Sequence, residues 1–275
     1  MNYLLRVMRC WSRMKGKLYI IGAGISLDYL TIKALKILRN VKNVFLDGYT
    51  GVLLGDGSRL AEIIGGREYK VLSRRDLEDL NGELIFKALE EGDVALVSPG
   101  DALIATTHVN LMIEARRRGY DVEVVPGVSI ISASISVSGL MAYKLGKVST
   151  ITYPKEGVVY EYFYDVIKEN SARNLHTLLL LELDVERGVF MTIRDAIQIL
   201  FDIERSRGEG VISPNRLAVG ISRLGDVEMK VCPDELGKLI NIDFGKPPHT
   251  LIITSPKLHF IEKDALEVVK DVYCR

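Results

Sequence analysis

VALVSPGD, at residues 94–101, is the stretch of sequence that decides the fold of this chain. Its first four residues are apolar and include two valines, which predicts a short buried strand. The following Ser-Pro-Gly-Asp ends that strand in a tight turn. In open sheets of parallel strands, small molecules bind beyond the carboxyl ends of the strands, where such turns lie. The turn therefore predicts a ligand site, and an ordinary strand-to-helix loop with Asp101 as a capping residue stays open as the alternative.

Strands and helices alternate outward from this stretch in both directions. Apolar runs predict strands at residues 18–21, 44–46, 69–72, 94–97, 122–125, 148–152, 177–183, 217–221, 228–232 and 251–254. Helical spacing predicts helices at residues 29–40, 59–64, 82–91, 106–118, 129–139, 160–171, 192–205, 233–240 and from 263 onward. This alternation is typical of an α/β fold with mostly parallel sheets. A Pro-Gly break at residues 126–127 predicts two α/β domains, residues 18–126 and 127–275, with a ligand cleft between them.

Composition excludes several classes of protein. The 275 residues carry 36 Lys and Arg against 36 Asp and Glu, so no overall field attracts nucleic acid or an anionic membrane surface. No apolar run reaches the roughly 18 residues that span a bilayer. The three cysteines, Cys10, Cys232 and Cys274, are odd in number, far apart and without CxxC spacing. That pattern predicts neither a disulfide framework nor a metal site, and it favours a cytoplasmic protein. The single Gln and the many Lys, Arg and Glu residues hint at a thermophile.

Residues 1–17 differ from the rest of the chain. They carry five basic residues and no acidic one, interleaved with apolar side chains. A targeting or surface helix is one interpretation, although the apolar core is short and no small-residue cleavage site follows. A translation start at Met14 is the other. We therefore treat residues 1–17 as an N-terminal extension outside the fold.

A dinucleotide site is a competing interpretation of the first strand. Gly22 and Gly24 follow that strand, but the third glycine of the dinucleotide fingerprint is absent, because Leu27 stands at its position. Asp47 ends the second strand, where an acid that binds ribose would lie. The alternatives are turn glycines and a capping Asp. A dinucleotide oxidoreductase remains a minor hypothesis.

No familiar catalytic signature is present. The chain has no Walker loop, no GxSxG elbow and no HExxH motif. His108, His176 and His249 stand alone, and a lone histidine in a loop is usually structural. Displacement on a sulfonium methyl group needs mainly alignment of donor and acceptor. The lack of an acid–base dyad therefore argues against hydrolases more than against methyltransferases, and no catalytic residue is assigned.

Several motifs together carry a resemblance to a known family. LYIIGAG at residues 18–24, SPGD at 98–101 and VPGVS at 125–129 resemble the tetrapyrrole methylase superfamily. Its members are two-domain methyltransferases that bind S-adenosylmethionine in the interdomain cleft. FLDGYT at 45–50, ATTH at 105–108, GK through TYP at 146–154, NLHTLLLL at 174–181 and DFGKPPH at 243–249 are similar to the diphthine synthases within it. The resemblance runs from about Leu18 to the C-terminus.

The resemblance implies a donor, a substrate and a site. The substrate would be translation elongation factor 2, whose 3-amino-3-carboxypropyl-histidine would be methylated on its amino group to give diphthine, and the protein would be a homodimer. By motif position, the residues that would hold S-adenosylmethionine are Ile25, Asp101, Ile104, Ser129, Ile130, Leu181, Leu224 and His249. The apolar members suit adenine and the methionine chain, and Asp101, Ser129 and His249 offer polar contacts. No metal is implied.

Two departures keep alternatives open. Ala102 stands where the family usually has Pro after the loop aspartate, which predicts a less rigid loop. VPGVS resembles the cobalamin-pathway methylases more than diphthine synthases, so a corrinoid or porphyrin C-methyltransferase is the second hypothesis. A non-catalytic α/β binding module is the third. We expect Asp101→Ala to weaken donor binding and to leave the fold intact, because a loop carboxylate contributes little to core packing.

Overall fold

The computed structural model of the protein describes residues 16–54 and 57–275. These residues form two compact units, the first ending at Ser129 and the second beginning at Ile130. The alternative start at Met14 and most of the predicted N-terminal extension lie outside the described residues. Lys17 already belongs to the first strand.

The first unit is built on one five-stranded sheet. Its strands are β1 (Lys17–Gly22), β2 (Asn43–Asp47), β3 (Lys70–Leu72), β4 (Val94–Ser98) and β5 (Asp121–Val125), in the order β3-β2-β4-β1-β5. Every pairing in it is parallel. The predicted strand at residues 94–97 is therefore the middle strand, and the predicted parallel α/β sheet is confirmed for this unit.

β4 is buried along its whole length. Leu96 packs into the core on one face of the sheet, while Ala95 and Val97 pack into the core on the other. A strand covered on both faces cannot alternate apolar with polar residues, which explains the continuous apolar run. The covering helices are α1 (Ile32–Asn40), α2 (Gly57–Ile63), α3 (Glu83–Leu89) and α4 (Val109–Arg117), with short turns at Leu27–Tyr29 and Arg75–Asp79.

Two of these helices begin three residues later than predicted. The helix predicted at 29–40 begins at Ile32, because the Thr31 side chain accepts a hydrogen bond from the Ala34 N–H (3.1 Å) and caps the helix there. The helix predicted at 106–118 begins at Val109. The Thr106 hydroxyl donates to the Ala102 carbonyl (2.6 Å), so residues 106–108 still belong to the loop after β4.

The second unit contains a five-stranded sheet of a different kind. Its strands are β6 (Ser149–Ile151), β7 (Thr177–Leu181), β10 (Leu217–Ser222), β11 (Lys230–Glu235) and β12 (His249–Ile253), in the order β11-β10-β12-β7-β6. β8 (Leu183–Asp184) and β9 (Val189–Phe190) pair separately. Only β6 and β7 pair in parallel, and the other three pairings are antiparallel. The prediction of mostly parallel sheets is therefore wrong here, because β11 follows β10 without the helical crossover that parallel strands need.

The helices of the second unit are α5 (Ile130–Ser138), α6 (Tyr162–Ala172), α7 (Ile193–Arg207), α8 (Leu236–Leu239) and α9 (Phe260–Tyr273). The helix predicted at 233–240 is wrong over its first half. Pro233 pairs with Val219 in β11, an edge strand, where the missing N–H of proline is tolerated. None of the helices in the described residues is long and apolar enough to cross a membrane.

Cys232 and Cys274 form a disulfide, with their Cα atoms 4.7 Å apart. The prediction against a disulfide is therefore wrong. Cys232 lies in β11 and Cys274 caps the end of α9. The helix lies along the strand, and Lys270 of α9 forms an ion pair with Asp234 of β11 at 2.6 Å. Packing of two distant elements, rather than spacing in the sequence, brings the two sulfur atoms together.

Candidate functional site

Two turns join at the carboxyl edge of the first sheet. Gly24 lies in the turn after β1, and Gly100 lies in the turn after β4. The Gly24 N–H donates to the Gly100 carbonyl at 2.9 Å, and the Gly100 N–H donates to the Gly24 carbonyl at 2.8 Å. Ile25 and Asp101 directly follow these glycines. The structure therefore brings together two of the residues predicted to hold the donor.

Main chain rather than side chains forms this edge. A Cβ atom on Gly127 would lie 2.2 Å from the Gly100 carbonyl oxygen, and one on Gly22 would lie 2.6 Å from the Gly127 nitrogen. Gly100 itself has a φ of +68°, in the left-handed region that favours glycine. A Cβ there would meet no atom within 4 Å. The edge thus has open space beside the Gly100 main chain, which lets a ligand approach it closely.

The Asp101 carboxylate spans two segments of this edge. One oxygen accepts a hydrogen bond from the Leu103 N–H at 3.0 Å, and the other accepts from the Gly127 N–H at 3.1 Å. Each carboxylate oxygen can accept a further bond. Asp101 therefore holds the turn after β4 against the segment after β5, and it retains the capacity to bind a ligand hydroxyl or ammonium group.

Two other predicted residues of the first unit lie on the same segments. The Ile104 N–H donates to the Asp101 carbonyl at 3.3 Å, and the Ile104 side chain is 45% exposed. Ser129 is buried and lies two residues beyond Gly127. The exposed apolar surface of Ile104 suits the contact with adenine or the methionine chain that the resemblance implies.

Three predicted residues of the second unit lie along one edge of its sheet. Leu181 ends β7, His249 begins β12, and Leu224 follows the end of β10. Ser222 pairs with His249, and Leu180 pairs with Thr250, so Leu181 and His249 come from adjacent strand ends. All three predicted side chains are buried. Ile130, the eighth predicted residue, is half-buried at the first position of α5.

His249 presents an unused polar atom at this edge. Its Nδ1 accepts a hydrogen bond from the Ile193 N–H at 3.3 Å, so a neutral ring carries its proton on Nε2. Nε2 is buried and has no partner among the described residues. Burial lowers the pKa of His249. His249 is therefore a neutral donor with a buried N–H to offer.

Ser222 is a candidate that the sequence did not single out. Its hydroxyl is buried and lacks a partner in the described part of the chain. Directly opposed residues of an antiparallel pair share one face of the sheet, so Ser222 and His249 share a face. Only the register of β10 against β12 places the serine there, and no local pattern in the sequence carries that information.

The chemistry of these residues fits a nucleoside better than a metal ion. In the first unit, backbone groups, one carboxylate and a partly exposed isoleucine suit a ligand with hydroxyl, amino and apolar parts. In the second unit, taken by itself, a neutral imidazole, a serine hydroxyl and apolar side chains suit the same kind of ligand. In residues 16–54 and 57–275, no group of three or more His, Cys, Asp or Glu side chains lies close enough to hold a metal ion. The unpartnered groups of His249 and Ser222 are consistent with polar contacts to such a ligand.

Comparison with known proteins gives consistent matches. The model of the tetrapyrrole (corrin/porphyrin) methylases matches residues 17–207. A diphthine synthase from Methanopyrus kandleri is 42% identical, over 92% of this chain and 96% of its own length. A diphthine synthase from Methanocaldococcus jannaschii is 38% identical, over 90% and 97%. The crystal structure of a diphthine synthase superposes with a TM-score of 0.82 at 32% identity, over 93% of this chain and 96% of that one.

Proposed function

Because the chain belongs to the tetrapyrrole (corrin/porphyrin) methylase family, we propose that it is a methyltransferase with the activity of a diphthine synthase. It takes a methyl group from S-adenosylmethionine and transfers it in diphthamide biosynthesis. The acceptor is the amino group of a 3-amino-3-carboxypropyl-histidine on translation elongation factor 2, and the product is diphthine. The protein acts in the cytoplasm, where translation takes place.

One observation carries this proposal. The similarity to diphthine synthases extends over almost the whole of both chains, so it includes both compact units and not only the donor-binding segments that the wider family shares. A corrinoid or porphyrin methylase would share the donor loop, the turn after β4 that carries Gly100 and Asp101. Its acceptor is a tetrapyrrole macrocycle, and the distinction between the two activities therefore depends on the acceptor.

The experiment supplies labelled S-adenosylmethionine and offers two acceptors to the full-length protein. Elongation factor 2 that carries the modified histidine should gain label, and the same factor without the modification should not. Uroporphyrinogen should remain unlabelled. Label on the macrocycle and none on the factor would replace the proposed activity with that of a tetrapyrrole methylase.

The donor is assigned to residues of each unit separately. In the first unit these are Ile25, Asp101, Ile104 and Ser129, which come from the segments after β1, β4 and β5. In the second unit they are Ile130, Leu181, Leu224 and His249, with Ser222 added for its unpartnered hydroxyl. Bound S-adenosylmethionine supplies a methyl group activated by a sulfonium. The residues bind and orient it and keep water from its apolar parts.

Asp101→Ala should weaken binding of S-adenosylhomocysteine by about tenfold or more, because it removes a charged acceptor from the donor loop. It should also lower the free energy of unfolding by about 1–2 kcal/mol, since the Leu103 and Gly127 N–H groups lose their acceptor. Calorimetric titration and thermal melting measure the two effects. Asp121→Ala, at the opposite end of β5 and 81% exposed, is the control and should change neither. Unchanged affinity in Asp101→Ala would remove this residue from the donor site.

The protein is also proposed to be a homodimer. Four apolar residues of α9 are at least half exposed: Phe260, Ile261, Val268 and Val272. Such a row of exposed apolar residues on one helix is typical of an interface. Light scattering after size exclusion should give twice the mass of the chain, and Val268→Glu should shift the protein toward the monomer. A monomeric wild-type protein at micromolar concentration would contradict this part of the proposal.

A further inference from the structure

Two motifs of the sequence lie outside the donor set and come together in the first unit. FLDGYT, at residues 45–50, includes the end of β2, and ATTH, at residues 105–108, leads into α4. Nε2 of His108 donates a hydrogen bond to Oδ2 of Asp47 at 2.8 Å. The two side chains are 1% and 0% exposed. This buried pair links the loop after β2 to the start of α4.

Asp47 also fixes the loop that follows it. Its Oδ1 accepts hydrogen bonds from the N–H groups of Tyr49 at 3.0 Å and Thr50 at 3.1 Å, and its Oδ2 accepts one from the Thr50 hydroxyl. Burial raises the pKa of Asp47, but the bonds from His108 and from this loop outweigh it and hold the pKa below its usual value. The charged carboxylate therefore holds Tyr49 in one position.

The Tyr49 side chain belongs to a hydroxyl–carboxylate group, formed by Tyr49, Glu78 and Thr107. The Tyr49 hydroxyl donates to Oε1 of Glu78 at 2.8 Å, and the Thr107 hydroxyl donates to the same oxygen at 2.9 Å. The two hydroxyl oxygens are 3.2 Å apart. The other Glu78 oxygen accepts from Nε of Arg74 at 2.8 Å. This bond lowers the pKa of Glu78 more than burial raises it, so the carboxylate stays charged.

A cavity of about 670 Å³ lies beside this group. Two members of the group, Glu78 and Thr107, line it, and its other polar lining residues are Asn81, His108, Asn110, Glu114, Arg117 and Arg118. The Glu78 side chain is 24% exposed, so the carboxylate is accessible to a ligand although it has partners in the protein. The volume is in the range of cavities that bind small molecules or single side chains.

The hydroxyl–carboxylate group borders the proposed donor loop. β2 and β4 are neighbouring parallel strands, so the loops after them emerge at the same edge of the sheet. A Cβ on Gly51, in the loop after β2, would lie 3.2 Å from Cβ of Pro99 in the loop after β4. Thr107 lies on the same connection as Asp101. Through its bond with Thr107, Glu78 is therefore held against the connection that also carries Asp101.

We propose that Glu78, Tyr49 and Thr107 bind the amino group of the acceptor, and that Asp47 and His108 position them. This rests on the proposed function. A carboxylate with two hydroxyls offers acceptors to each N–H of an ammonium group and compensates its positive charge. The ammonium must first release a proton to water. The neutral amine then forms the N–C bond with its lone pair, the S–C bond breaks, and that electron pair remains on sulfur. The positive charge passes from sulfur to the methylated nitrogen, where Glu78 stabilises it.

The test measures methyl transfer to the modified elongation factor by the full-length protein. Glu78→Gln should raise KM for the factor and lower kcat/KM by about tenfold to a hundredfold, because it removes a charge-assisted contact. Tyr49→Phe, which removes one oxygen only, should lower kcat/KM by about tenfold. Both variants should bind S-adenosylhomocysteine as tightly as the wild type, an outcome that loss of structure would not give. Asp79→Asn, an exposed neighbour of Glu78, is the matched control for charge and should behave as the wild type.

The outcomes separate this inference from the proposed function. Wild-type protein that transfers no label to the factor would overturn the proposed function and this inference with it. An active wild type, with Glu78→Gln and Tyr49→Phe equally active, would overturn the inference alone. An unchanged KM together with reduced affinity for S-adenosylhomocysteine would assign these residues to the donor instead.

Discussion

Glu262→Ala is expected to lower the free energy of unfolding by about 3–5 kcal/mol, the usual effect of removing one partner of a buried ion pair. Glu262 lies in the first turn of α9 and is fully buried. Oε1 accepts hydrogen bonds from Nε2 of His176 at 2.8 Å and from the Met141 N–H at 3.0 Å. Oε2 accepts from Nζ of Lys144 at 2.6 Å and from the His259 N–H at 2.9 Å. The substitution leaves all four donors without this acceptor.

The histidine of this cluster is held in one tautomer. Nδ1 of His176 accepts a hydrogen bond from the Ser255 N–H at 2.9 Å, so the proton of the neutral ring is on Nε2 and points to Glu262. Burial lowers the pKa of His176, although Glu262 opposes the shift. Glu262 of α9 therefore links three segments: its own helix, the residue before β7 and the turn that precedes β6. The imidazole in this cluster stays neutral.

The same cluster makes stability depend on pH. Burial raises the pKa of Glu262, but the bonds from Lys144, the backbone and His176 outweigh it and lower the pKa to about 2, from an ordinary 4.5. A depressed carboxyl pKa contributes stability above pH 4.5, and this is lost as pH falls toward 2. The shift corresponds to about 3 kcal/mol. His176 acts in the same direction, because the unfolded chain binds a proton below pH 6.5 that the folded chain resists.

Denaturant unfolding of the wild type, Glu262→Ala and Glu262→Gln at several pH values tests this account. Glu262→Gln keeps the size and shape of the side chain, but its amide N–H group would face other hydrogen-bond donors. This variant should therefore also have a lower free energy of unfolding. The difference in the free energy of unfolding between the wild type and either variant should become smaller as the pH falls from 4.5 to 2. Glu267→Ala, exposed on the same helix, should change stability by less than about 0.5 kcal/mol. If that difference does not change with pH, Glu262 is not ionised in the folded protein.

Local sequence pattern predicted most of the elements but not their pairing. The apolar run at residues 94–97 predicted β4 because a strand buried on both faces is necessarily apolar. The same type of run also occurs at β12, whose neighbours are both antiparallel. An apolar strand carries no mark of the direction of its neighbours, so the parallel arrangement was wrongly extended to the second unit.

The candidate sites show the same division. Gly100 and Asp101 were predictable, because the chemistry of the turn lies within a few residues. The Asp47–His108 and His176–Glu262 pairs join residues 61 and 86 positions apart. Asp47 was interpreted as an acid that binds ribose or caps a strand, and His176 as a lone histidine beside a strand. Their roles depend on partners that only the packing of distant elements supplies.

Reduction of the Cys232–Cys274 disulfide is expected to lower the free energy of unfolding by about 4 kcal/mol. The bond closes a loop between residues 42 positions apart, and constraint of the unfolded chain by a loop of that length gives this magnitude. For a unit of this size, that corresponds to a fall in melting temperature of roughly 8–16 °C. Disulfides are unusual in the cytoplasm of most organisms, but intracellular proteins of hyperthermophiles are an exception. The composition, with one Gln and many Lys and Glu residues, agrees with such an origin.

Melting with and without dithiothreitol separates the disulfide from other effects of the reductant. The wild type should melt lower when reduced, and Cys274→Ser should melt at one temperature in both conditions, close to that of the reduced wild type. Cys10→Ser keeps the bond and should respond to the reductant as the wild type does. Alkylation of the unfolded chain should block one thiol before reduction and three after it. Three reactive thiols before reduction, in protein purified without reductant, would show that the bond does not form, and the end of α9 would then depend on the Lys270–Asp234 ion pair and on packing alone.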